Sequence, residues 1–277
     1  MTKTKQLIFL SLLTCASPLA SPPAGAAPAA YPAAESLSYA DIADLVTASP
    51  LVIRATVKSV SKVASNAATA QSSPVQHVYV TASVDALIRG DGGVTPMVSF
   101  LAEQPVNGGK WRRRQAVMLF ARAGARPGEI QLVSRNAMRP TTERLESESR
   151  AIATELLKTN APPAITGIGD AFHVAGTVAG EGETQIFLKT DSGAPVSLSI
   201  VRRPGQAPQW GASLGEIVDE SAVAPTPGHL LWYRLACALP ARLPESSTRT
   251  LPLLDAEAAR RDFRFVLESL GSCGRTL

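Results

Sequence analysis

The sequence predicts a mainly β protein, built from small antiparallel barrel or sandwich units with accessory helices. Three observations lead there. Short runs rich in β-branched residues recur with apolar and polar positions alternating. Glycine and proline, 20 and 21 of the 277 residues, separate these runs at turn positions. Long helical patterns do not alternate with the strands, as a parallel α/β sheet would require. Strict alternation further implies sheets with one buried face and one wet face.

The chain opens on Lys3 and Lys5, followed by the apolar run LIFLSLLTCASPLA and the small residues Ala24 to Ala27. That is the layout of a secretory signal peptide cleaved after Ala26, with residues 27–37 as a flexible N-terminus. A lipoprotein anchored at Cys15 is the alternative, although Leu12-Leu13-Thr14 lacks the small residue expected before a lipidated cysteine. The apolar run is too short to span a bilayer, and no later run approaches about twenty residues, so no transmembrane span is expected. The expected location is periplasmic or secreted. Cleavage removes Lys3 and Lys5, leaving 25 basic against 23 acidic side chains. Such a near balance argues against a nucleic-acid partner.

Residues 38–160 read as a first β domain with flanking helices. Ser38 can cap a short helix that carries Ile42, Leu45 and Val46 on one side, and Pro50 stops it. LVIRATVKSVSKV is strand one. In VQHVYVTASVDAL, strand two, Val78, Val80, Ala82 and Val84 face one way, and His77, Tyr79, Thr81, Ser83 and Asp85 the other. TPMVSFLAEQ, RRQAVMLFAR and EIQLVSRNAM complete five strands. Thr142 then caps a helix through Leu145, Ile152 and Leu156, which Asn160-Ala161-Pro162-Pro163 ends.

The stretches DLVTASPLVIRATVKSV, VTASVDALIRGDG and RRRQAVMLF carry a resemblance. Together they resemble a helix, a strand reading "v.G.V..v", a strand ending "V...lkG" and a strand reading "G..yllF". This pattern is widespread in uncharacterised exported bacterial proteins and similar to the OB-like barrels of netrin and metalloproteinase-inhibitor domains. It covers residues 38–135 and implies an OB-like first half. Arg54-Ala55 stands where a glycine is common, Arg89-Gly90 where Lys-Gly is common, and Gln115-Ala116 where Gly-Glu is common. The amino-terminal cysteine that inhibitor domains turn on a metal is missing, so inhibition by that route is not implied.

Residues 164–277 read as a second β-rich domain with a C-terminal helix. AFHVAGTVAG, ETQIFLKT, PVSLSIVRR, GASLGEIVDE and HLLWYRLACAL are β-compatible, and DAEAARRDFRFVLESLG is an amphipathic helix that Asp255 can cap and Gly271 can end. The shared order of elements suggests duplication, without a residue-by-residue repeat. After cleavage only Cys237 and Cys273 remain, and in an oxidising compartment they are expected to form one disulfide, a free pair or an intermolecular link being the alternatives.

Several motifs offer chemistry. Gly211-Ala212-Ser213-Leu214-Gly215 fits the nucleophile elbow G-x-S-x-G, with Asp219 and His229 following in order. The elbow needs a central strand before the serine and a helix after it, and neither flank supplies them, so a glycine-rich turn or strand is the preferred reading. GTVAGEGE lacks the Gly-Lys-Ser/Thr of a phosphate loop and reads as a hairpin turn. His77, His173 and His229 have no ligand-spaced neighbours and are expected at the surface or in turns, so no metal or cofactor is predicted. Arg89-Gly90-Asp91 reads as the turn after strand two rather than an adhesion signal. The most distinctive surface feature is Lys110, Trp111, Arg112, Arg113 and Arg114, four cations beside an indole: either a solvated strand entrance with Trp111 laid over the barrel rim, the preferred reading, or a contact for an anionic glycan or lipid or an acidic envelope protein.

These features together predict an exported, non-enzymatic protein that binds or scaffolds in the cell envelope. The alternative is an envelope serine hydrolase using Ser213.

Overall fold

A computed structural model describes residues 37–63, 75–215 and 222–277. The expected signal peptide, the expected flexible N-terminus before Leu37, and Asp219 lie outside the described residues. The chain is mainly β: ten strands form two antiparallel sheets, accompanied by a few helices.

Helix α1 (Tyr39–Thr47) starts at a capping box. Ser38 Oγ accepts the Asp41 N–H at 3.1 Å, and the Asp41 carboxylate accepts the Ser38 N–H at 2.8 Å. The chain then enters β1 (Leu51–Lys62), β2 (Val75–Arg89), β3 (Met97–Pro105), β4 (Ala116–Ala123), β5 (Ile130–Leu132) and β6 (Met138–Pro140), in the order β3-β2-β1-β4-β5 with β6 paired to β4. EIQLVSRNAM, expected as one strand, is two. A turn in which the Ala137 N–H donates to the Ser134 carbonyl at 3.1 Å separates β5 from β6. The sheet does not close into a barrel. Beyond the paired strands, β3 meets the segment before β5 at one isolated parallel bridge, Ser99 to Glu129.

Thr142 caps α2 (Glu143–Leu156) by accepting the Leu145 N–H at 3.1 Å. The second sheet is β7 (Ile165–Ala175), β8 (Gly182–Thr190), β9 (Val196–Arg202) and β10 (Gln209–Ser213), ordered β10-β9-β8-β7. The expected fifth strand, HLLWYRLACAL, is instead helix α3 (Leu230–Ala236). A short apolar run does not reveal its own period, and here helical packing of Leu230, Tyr233 and their neighbours prevailed. After a 3-10 turn (Glu245–Ser247), α4 (Leu253–Leu270) begins at Pro252 with Asp255 in its first turn rather than as its cap. It ends at Gly271, whose φ of 71° a side chain would resist.

Two cores result. The smaller lies against one face of the first sheet, with Ile53, Val80, Phe100, Leu119 and Trp111. The larger gathers α1 (Ala40, Ile42, Val46), the other face of β1 and β4 (Val52, Met118, Phe120), the second sheet (Ile186, Leu198, Ile200) and α4 (Phe263, Val266). Strands β1 and β4 therefore bury both faces at one end, contrary to the expectation of one wet face throughout. In β2 and β3 the alternation holds, and their outer face stays in water.

Candidate binding surface

Strand parity builds this outer face. Val78, Val80 and Ala82 of β2 point inward opposite Ala102, Phe100 and Val98 of β3. The alternate pairs His77 with Glu103, Tyr79 with Leu101, Thr81 with Ser99 and Ser83 with Met97 point outward. On this polar face three large apolar side chains remain in water: Tyr79 is 41 % exposed, Met97 42 % and Leu101 55 %. His77 Nε2 lies 3.6 Å from Glu103 Oε1 across the same rung.

Beside the bridge between Ser99 and Glu129, a groove lies along the outer face of β3 and β5. Its volume is about 540 Å³, and it is lined by Tyr79, Leu101 and Glu103 on one side and Glu129, Gln131 and Arg135 on the other. The hairpin that brings β5 here turns tightly: the Gly124 N–H donates to the Glu129 carbonyl at 2.8 Å, and a β-carbon at Gly124 would sit 2.8 Å from that oxygen. Only glycine fits.

The basic segment follows β3, and Trp111 ties it to the end of that strand. Lys110, Arg112, Arg113 and Arg114 are exposed, whereas Trp111 is 6 % exposed and belongs to the smaller core. Its backbone N–H donates to Gln104 Oε1 at 3.3 Å and its indole N–H to the Glu103 carbonyl at 3.4 Å. The indole therefore anchors the loop, and the four cations around it face water. Arg114, with φ of 69°, turns the chain back onto β1, where its N–H donates to the Val57 carbonyl at 2.8 Å and sets it beside exposed Lys58.

The remaining sequence candidates are placed as follows. Ser213 ends the edge strand β10 opposite Ser197 and is 9 % exposed. Gly211 has a packing reason to be glycine, since a β-carbon there would fall 2.1 Å from the Ala222 carbonyl oxygen. The described residues after Ser213 hold no helix before Leu230, and exposed His229 precedes that helix. Of the tripeptide Arg89-Gly90-Asp91, Asp91 is exposed, but Arg89 Nη1 donates to the Val46 carbonyl at 2.7 Å and caps the C-terminal end of α1.

His173 is not at the surface as expected. Its side chain is 7 % exposed, on the inner face of the second sheet opposite Thr184. Thr184 Oγ1 donates to Asp262 of α4, which also pairs with Arg202. A hydroxyl has one proton to give, so His173 Nδ1, 2.8 Å away, carries the hydrogen that Thr184 accepts. Thr184 is fully buried and Asp262 is 1 % exposed, so this network is an internal tie between sheet and helix. Among the described residues no group of three His, Cys, Asp or Glu is placed to hold a metal ion.

A second polar cluster joins the C-terminal tail to α1. Cys237 and Cys273 form a disulfide with Cα atoms 4.9 Å apart. Just beyond it, Arg275 Nη2 donates to Asp44 at 2.9 Å, and the Thr276 N–H and hydroxyl donate to Asp41 at 2.8 and 2.7 Å. Burial alone would raise the Asp41 carboxyl, but the donors of Thr276 and Ser38 together hold it below its ordinary value. Hydrogen bonding to Asp44 raises Arg275 further still. Burial pushes the Tyr233 hydroxyl up, reinforced by its hydrogen bond to Asp44 at 2.5 Å.

Compared with known proteins, the chain matches no family model and no curated protein.

Proposed function

We propose that the protein is exported to the cell envelope and acts there as a non-enzymatic binding or scaffolding protein, with the outer face of β2 and β3 as its contact surface. The observation that carries this reading is the pair Tyr79 and Leu101, apolar and half in water beside an open groove on a face otherwise polar. A disulfide suits an oxidising compartment, and no described helix is long and apolar enough to cross a membrane. The strand order with its parallel bridge from β3 supports the resemblance to OB-like modules, partly open barrels that bind on the strand 2 and 3 face. Lys110, Arg112, Arg113 and Arg114 at the end of that face favour an anionic glycan, an anionic lipid or an acidic protein.

The test is made in the cells that produce the protein. The full chain should fractionate outside the cytoplasm with its N-terminus at Ala27, and on gentle release migrate in an assembly larger than the monomer. The double variant Tyr79→Ser, Leu101→Ser should fold, by circular dichroism, and migrate as a monomer. Cytoplasmic retention, or one size for both proteins, would contradict the proposal.

A further inference from the structure

The turn that delivers the basic segment to β4 runs against its own sequence. Arg112 to Gln115 close a β-turn, the Gln115 N–H donating to the Arg112 carbonyl at 3.3 Å. Its third residue, Arg114, has φ of 69°, and among the described residues no other non-glycine residue has a positive φ. Positive φ at the third position is the mark of a type II turn, where glycine or asparagine is the ordinary occupant. A β-carbon there costs conformational energy that glycine avoids. The backbone is nevertheless fixed, since the Arg114 N–H donates to the Val57 carbonyl at 2.8 Å and the Val57 N–H to the Gln115 carbonyl at 2.9 Å. Arg114 is exposed, so no packing demands its side chain. Strain kept at such a position points to a use for the side chain itself.

The surroundings of Arg114 are positive. Lys110, Arg112 and Arg113 share its loop, and Lys58 and Lys62 lie on the part of β1 that runs past its pairing with β4 at Thr56. All six cations are exposed, and no ion pair among the described residues includes any of them. Arginines elsewhere are matched: Arg54 and Arg150 with Glu146, Arg144 with Glu148, Arg202 with Asp262, Arg275 with Asp44. Of the carboxylates on β2 and β3, Glu103 lies beside His77 and Asp85 accepts the Thr56 hydroxyl at 2.8 Å. Residues 64–74, which link β1 to β2 in sequence, include no acidic one. On a chain whose net charge is only +4, six unmatched cations on one loop and strand make a strong local positive field.

We infer that this basic surface docks on an anionic lipid membrane, with Arg114 and its neighbours binding headgroup phosphates. A guanidinium group suits that role because it meets a phosphate through two parallel N–H donors. The surface suits a lipid layer better than a small or rigid anion. None of the three guanidinium groups is hydrogen-bonded to a described residue, so none is held in a fixed direction. Neither the groove along β3 and β5 nor the one between Gly92–Thr95 and Ala123–Gly128 includes any of the six cations in its lining. A fluid layer brings its phosphates to unfixed cations, whereas a ligand with set charge spacing is recognised by groups held in place. Val63 after β1 and Val106 at the start of the loop, 41 % and 43 % exposed, flank the cations with apolar side chains that fit the headgroup boundary. This inference rests on the protein working at the envelope, and it adds the surface it meets and the side chains that meet it.

The test is co-sedimentation of the protein, as isolated from the cells that produce it, with two kinds of vesicle: phosphatidylcholine alone, and equal parts of phosphatidylcholine and phosphatidylglycerol. The protein should pellet with the anionic vesicles only, and be released as salt shortens the Debye length from about 10 Å at 0.1 M to about 3 Å at 1 M. Arg114→Gly should unfold in urea at or above the wild-type midpoint, because it relieves the positive φ, yet bind about fivefold more weakly, the worth of one cation near such a surface. Arg114→Lys keeps the charge and should bind within about twofold of wild type. Replacing Arg112, Arg113 and Arg114 together by serine should weaken binding about a hundredfold. If that triple variant misfolds by circular dichroism, Arg114→Gly and Arg114→Lys decide alone. Binding to anionic vesicles that is absent, matched on neutral vesicles, or unchanged in Arg114→Gly would overturn the inference. So would an Arg114→Gly midpoint below wild type, which would make the arginine a support of the fold. Retention on immobilised polyglutamate or a sulfated polysaccharide without vesicle binding would also overturn it, assigning the cations to an acidic protein or a glycan. Failure of the envelope reading appears separately, as cytoplasmic retention of the full chain with vesicle binding intact, which would leave the lipid-binding surface standing.

Discussion

Removing the disulfide, by Cys237→Ala with Cys273→Ala, tests how the two ends of the described chain are held together. The cysteines are 36 residues apart in sequence. In the chain-entropy treatment a loop of that length restricts the unfolded state by about 13 cal/mol/K, or about 4 kcal/mol at room temperature. A further local effect follows from position. Arg275 and Thr276, which bond Asp44 and Asp41, lie only two and three residues beyond Cys273. Without the bond, the tail must order itself on α1 at its own entropic cost, roughly 1 to 2 kcal/mol per residue fixed, which a few hydrogen bonds of about 1 kcal/mol each barely offset. The variant should therefore lose about 2 to 5 kcal/mol in urea unfolding, and carboxypeptidase should trim its tail at once. Arg275→Ala with Thr276→Ala, disulfide intact, should free the tail at a smaller global cost. A cysteine variant that unfolds at the wild-type midpoint, or whose tail stays protected, would contradict this role for the disulfide.

Other consequences are equally specific. The folded-state lowering of Asp41 below its ordinary 3.8 means that it contributes stability above that value and loses it as pH falls through the lower, folded value. Urea midpoints of wild type and Asp41→Asn should therefore differ by a constant amount from about pH 7 to about pH 5 and converge in stronger acid. Thr184→Val leaves His173 and Asp262 each short of a partner and should cost about 1 to 3 kcal/mol. Asp262→Asn, which strands the Arg202 charge against the same buried site, should cost about 3 to 5 kcal/mol, both read by urea unfolding. Replacing Arg112, Arg113 and Arg114 together by serine should leave the unfolding midpoint within about 0.5 kcal/mol of wild type, since all three are exposed. It should also remove any salt-sensitive binding to lipopolysaccharide vesicles, whereas unchanged binding would assign that affinity elsewhere.

Local chemistry was legible where it is decided locally. Ser38 and Thr142 cap their helices because a side-chain oxygen before an apolar period has an N–H within three residues to accept. Val78, Val80 and Ala82 face inward because strand parity admits no other sorting. The run LLWYRLA was not decided locally, since its helix depends on what it packs against. Trp111 in its basic loop read either as a side chain laid over the rim or as a ligand contact, and the core beneath it claimed the indole. The network of His173, Thr184, Asp262 and Arg202 joins residues up to 89 apart, and no short window holds it. Two faint signals pointed to it. Asp262 interrupts the buried stripe of Ala259, Phe263 and Val266 on α4, and Thr184 interrupts the buried row of Gly182, Ile186 and Leu188 on β8. A polar group in an apolar row needs a partner, although sequence does not say which. The seat of Arg275 and Thr276 on α1 had no comparable sign.

Whether the outer face of β2 and β3 is the working surface can be read along β3 itself. A photo-crosslinking residue is placed in turn at each position from Val98 to Gln104 in the full chain, and adducts to other envelope components are scored in living cells. The alternating register predicts adducts from Ser99, Leu101 and Glu103 and none from Val98, Phe100, Ala102 and Gln104. Adducts without that period of two, or none from any of the seven positions, would contradict it.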